Sequence, residues 1–148
     1  MVASICIVVV STALFLYWFR YTSLLILNTS TVKDYSAEVA ETNRLSFIGA
    51  QDRLGQASAS ELEMLQRSLE RDYRIVSSLL RQAGELKVGG NTLEDFILRV
   101  DFRLMAIAYS LARGISETRS RAALQEMSLV VAHMANAFGE QVAGSSEA

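Results

Sequence analysis

The sequence predicts an all-α protein: an N-terminal single transmembrane helix followed by an antiparallel bundle of three or four helices. Three observations carry this. Residues 1–19 contain no charged side chain, and proline is absent from a chain of 148 residues. Beyond the apolar segment, leucine, isoleucine and valine recur in alternating steps of three and four, which lines up one apolar face per helix. An apolar helix of roughly 20 residues spans the ~30 Å hydrocarbon core at about 1.5 Å per residue.

Residues 1–27 form the expected anchor with its interfacial turn. The run ends in Tyr17, Trp18, Phe19 and Tyr21, with Arg20 among them. Amphipathic rings and a snorkelling cation suit the bilayer interface, so Tyr17, Trp18, Arg20 and Tyr21 are the expected membrane-interface residues. A cleaved signal would need a basic start and a small-x-small site. No Lys or Arg precedes the run, and cutting near Ser11 and Ala13 would leave an apolar stub. Cys6 follows the bulky Ile5 and is badly placed for lipid attachment. Arg20 and Lys33 follow the run, and the positive-inside rule therefore puts the C-terminal body in the cytoplasm, on a margin of two charges. Asn28-Thr29-Ser30 matches a glycosylation acceptor, but three-residue matches are common by chance and this one hugs the bilayer.

Residues 28–57 read as a juxtamembrane helix and linker. Asn28, Thr29, Ser30 and Thr31 make a polar turn, after which Val32, Tyr35, Val39, Leu45 and Ile48 predict a helix over 32–48. It either folds back onto the bundle or continues the membrane helix. Gly49, Gly55 and the small residues 57–60 end it.

Residues 58–143 are the expected bundle. Its first helix has the seam Leu62, Leu65, Leu69, Asp72, Val76, Leu79, Ala83 and Leu86, opened by a Ser60 cap with Glu63 completing a capping box. Asp72 is the one acid on that seam. Either local rotation turns it outward and Tyr73 packs in its place, or it meets Arg99 or Arg103 and fixes the register. Gly89-Gly90 stops the helix, and Asn91 and Thr92 cap the next, whose seam is Leu93, Ile97, Val100, Leu104, Ile107 and Leu111, widened by Phe96 and Ala108. Gly114 closes it. Ser116 starts a last helix with Leu124, Met127, Val131, Met134 and Phe138 on its seam. Leu129, Val130 and Val131 in a row make it either the most central helix or one that meets another protein. Residues 144–148 read as a frayed tail.

Several chemistries lack their residues. The net charge of -2 is interspersed, so no nucleic acid is expected as a partner. Cys6 is the only cysteine, which excludes a disulfide framework and a thiolate metal site. His133 has no acid one helical turn away, so the carboxylate–histidine pattern of a di-metal bundle is missing and no metal is expected. Arg67, Arg71, Arg74 and Arg81 form a basic face on the first bundle helix, but Glu63–Arg67 and Glu70–Arg74 are favourably oriented pairs, which marks a solvated face. Asp95–Arg99 repeats the pattern on the next helix. The glycines of 84–91 lack the Lys-Ser/Thr ending of a phosphate loop, and no nucleophile elbow or zinc-protease helix occurs. No cofactor and no catalytic residue are expected.

An anchor followed by a helical bundle is superficially similar to the sensing half of bacterial chemoreceptors, yet no later segment is apolar for long enough to make their second span. A comparison with pilins fails on the missing processing glycine and the sequence that follows it. The expectation is a single-pass, non-enzymatic interaction or structural component of a membrane assembly, with the lipid bilayer and a protein partner or a second copy as its contacts. The alternative is an extracytoplasmic sensor or ligand-binding bundle, which a cavity of mixed polar and apolar lining between helices would favour.

Overall fold

With no glycine or proline and Arg20 as its one charged side chain, the leading run forms one continuous helix, α1 (Val2–Leu27). Two of its threonines bond inward: the hydroxyls of Thr12 and Thr22 donate to the carbonyls of Val8 and Trp18, at 2.7 and 2.9 Å. Such back-bonding hides hydroxyl polarity within the helix's own backbone. Asn28 ends the helix, its side-chain amide donating to the Leu24 carbonyl at 2.8 Å. Every residue from Met1 to Trp18 is exposed, so the apolar surface runs round the whole helix.

This computed structural model describes residues 1–28, 34–86 and 92–146 and divides into two compact units, Met1–Ser30 and Thr31–Ala148. The described residues are mostly helix, joined by short turns and irregular connections, with no strand among them. In the second unit the helices are α2 (Ser36–Asn43), α3 (Phe47–Leu54), α4 (Ala59–Leu86), α5 (Thr92–Ala112) and α6 (Glu117–Ser146). The expected Gly89-Gly90 stop and the 29–31 part of the polar turn lie outside the described residues.

Helix α6 packs against each of α2, α3, α4 and α5, most extensively against α5 and α4. Its composition explains this. Leu124, Met127, Val130, Val131, Met134 and Ala135 are all fully buried, and a helix with apolar residues on adjacent sides can bury them only by taking several neighbours. Of the two roles open to this helix, the central one is what the packing shows.

The expected helix over 32–48 is two helices. Arg44 has φ 54° and ψ 47°, the one non-glycine with positive φ among the described residues. The Leu45 amide reaches back to the Ala40 carbonyl at 2.8 Å, a left-handed stop that ends α2. Gly49, expected as a breaker, sits inside α3, while Gly55 does follow that helix. The capping box lies two residues before the expected one: Ser58, not Ser60, opens α4, and its amide and hydroxyl donate to Glu61 at 2.6 and 2.7 Å. Ser116 opens α6 as expected, its hydroxyl accepting from the Arg119 amide at 3.4 Å. The expected tail from Gly144 instead continues α6 to Ser146.

On α4 the buried positions are Leu62, Leu65, Leu69, Asp72, Val76 and Leu80, so Leu80 replaces Leu79. A straight helix repeats every 3.6 residues and drifts off a seven-residue pattern within a few turns. The correction is larger on α5. Its buried residues are Leu98, Asp101, Phe102 and Tyr109, whereas Leu93, Ile107 and Leu111 of the expected core seam are exposed.

Candidate interaction surface

The polar residues that looked most like a site prove to hold helices together. Asp72 is fully buried. One of its oxygens accepts from the Ser46 amide at 2.6 Å and the Ser46 hydroxyl at 2.8 Å; the other accepts from Arg71 Nη2 at 3.1 Å. Ser46 is the N-cap of α3, so the carboxylate satisfies an amide at that helix's start, where negative charge is favoured. The expected outward rotation does not occur, and neither does the pairing with Arg99 or Arg103. Arg99 lies 4.0 Å from Asp95, and Arg103 is exposed. Tyr73 packs as well, stacking on Phe102 of α5 at 4.0 Å between ring centres, so α4 turns both residues toward protein. The break at Arg44 makes room for this, because it starts a new helix whose open amide end needs an acceptor.

His133 finds its acid on another helix. Its Nε2 lies 2.8 Å from Glu94 Oε1, joining α6 to α5. Sequence spacing along one helix could not show that partner. Arg121 also drew no notice in the sequence, yet its guanidinium donates to the carbonyls of Leu54 and Ala57 and to Glu117. It thus supplies positive charge at the C-terminal end of α3, where orphan carbonyls and the helix dipole both favour it. The basic face on α4 is in part the expected solvated one, with Arg67 held by Glu63 at 2.7 Å. Arg71 departs from it by turning to Asp72.

No group of three or more His, Cys, Asp or Glu side chains converges among the described residues. A cleft of about 580 Å³ opens between α3 and α4, lined by Asp52, Arg53, Gln56 and Glu61 with Ala57, Met64 and Leu65. Glu61 is held below the usual carboxylate range, first by the hydrogen bond from the Ser58 hydroxyl and then by the Ser58 amide.

The surface that stands out is on α5. Leu93, Phe96, Ile107 and Leu111 are 70, 60, 58 and 69 % exposed, and with half-buried Val100 they form a stripe on the side of α5 opposite Leu98, Phe102 and Tyr109. Helix α5 is therefore apolar on two faces, one buried by the fold and one turned outward. Four large side chains in line exceed the scattered apolar residues of an ordinary surface. On α1, the rings at Trp18–Tyr21 and Tyr17–Trp18 meet edge to face at 5.9 and 6.4 Å, with all three residues exposed.

No family model matches the chain, and neither a curated protein nor a solved structure is significantly similar to it.

The residues themselves therefore carry the reading. The two exposed apolar features differ in kind. Helix α1 is apolar all round and, among the described residues, is the one helix long and apolar enough to cross a membrane. Helix α5 is apolar in two stripes, and its outward stripe has the spacing of a helix–helix seam.

Proposed function

We propose that this chain is a single-pass, membrane-anchored helical bundle that acts without catalysis, docking a protein through the outward face of α5. The exposed stripe of Leu93, Phe96, Ile107 and Leu111 is the observation that carries it. The fold leaves Leu93, Ile107 and Leu111 of that helix's expected core seam exposed, and apolar area of this kind left in water costs about 25 cal/mol per Å². Anchoring of α1 adds to the effect, because confinement raises the effective concentration of whatever the face binds.

Two substitutions test it. Phe96→Glu with Ile107→Glu places charges on the outward stripe and leaves the buried face of α5 untouched. Full-length wild type and variant are purified in mild detergent, and size and co-purifying chains are compared. The expectation is an assembly in the wild type that the variant loses, with the melting of helix unchanged. Monodisperse monomers without companions in both would contradict docking.

The cleft between α3 and α4 favours a second function, ligand binding. Asp52 and Arg53 over the apolar Ala57, Met64 and Leu65 suit a small amphipathic zwitterion. A thermal-shift screen of such compounds on the full-length chain tests this, and the absence of any shift would count against it.

A further inference from the structure

We draw no further inference here: the strongest candidate, the exposed apolar patch of Leu93, Phe96, Ile107 and Leu111 along the outward face of α5, carries nothing beyond the docking already proposed, because nothing in the structure shows what covers it.

Discussion

Gly139 lies on α6 where α2 begins, and a Cβ built there would clash with Tyr35 Cβ. The Tyr35 amide donates to Asn136 Oδ1 at 2.6 Å, so both the hydrogen bond and the missing side chain set how closely α2 approaches α6. Gly139→Ala is therefore expected to destabilise by about 1–3 kcal/mol, although alanine gains up to about 1 kcal/mol in an open helix interior. Chemical denaturation measures it, and a more stable variant would show that Tyr35 does not dock there. Arg121 makes a second test. Replacing it with alanine removes charged donors from the carbonyls of Leu54 and Ala57, at a cost of about 2 kcal/mol. Lysine should recover little, since one ammonium cannot reach both carbonyls and Glu117 in the guanidinium's planar arrangement. The links from Asn136 to Tyr35 and from Arg121 to Leu54 and Ala57 were not visible in the sequence, because each joins residues more than sixty positions apart.

Helices α3 and α4 depend on acids at their starts. Asp72 receives the opening amide of α3, and Asp72→Leu leaves the Ser46 amide and hydroxyl without that acceptor. The expected loss is about 3 kcal/mol, read as a lower denaturation midpoint, and unchanged stability would remove Asp72 from this role. Glu61 holds Ser58 at the start of α4, and its lowered proton affinity fixes the sign of a pH effect. A carboxylate depressed by folding adds stability that is complete above its unfolded-state value and is lost as pH falls through its folded value. The stability advantage of wild type over Glu61→Gln should thus persist at neutral pH and vanish in acid below the ordinary glutamate range. An advantage that survives there would rule out the carboxylate as its source. Helices α4, α5 and α6 were legible from apolar rhythm, α1 from its unbroken apolar run, and the start of α6 from the capping hydroxyl of Ser116. The break at Arg44 was not, since arginine carries no turn signal and adopts the left-handed conformation only because the chain around it is held. The α5 seam was legible as apolar but not as outward, because spacing shows that a stripe exists and not which neighbour covers it.

For the whole molecule, the proposed function divides the work between two apolar features. Helix α1 is long and apolar enough to cross a membrane, while the second unit gathers its core around α6 and leaves one stripe of α5 uncovered. Scattered titratable groups made catalysis a poor expectation from the sequence, and Asp72, His133 and Arg121 each engage another helix. The proposed division requires α1 to sit in lipid as a lasting helical anchor. Alkaline carbonate extraction of vesicles carrying the full-length chain, followed by flotation, measures this. The chain should float with the lipid after the wash and be released only by detergent. Recovery of the intact chain in the carbonate supernatant would contradict the anchor and, with it, the confinement on which docking through α5 relies.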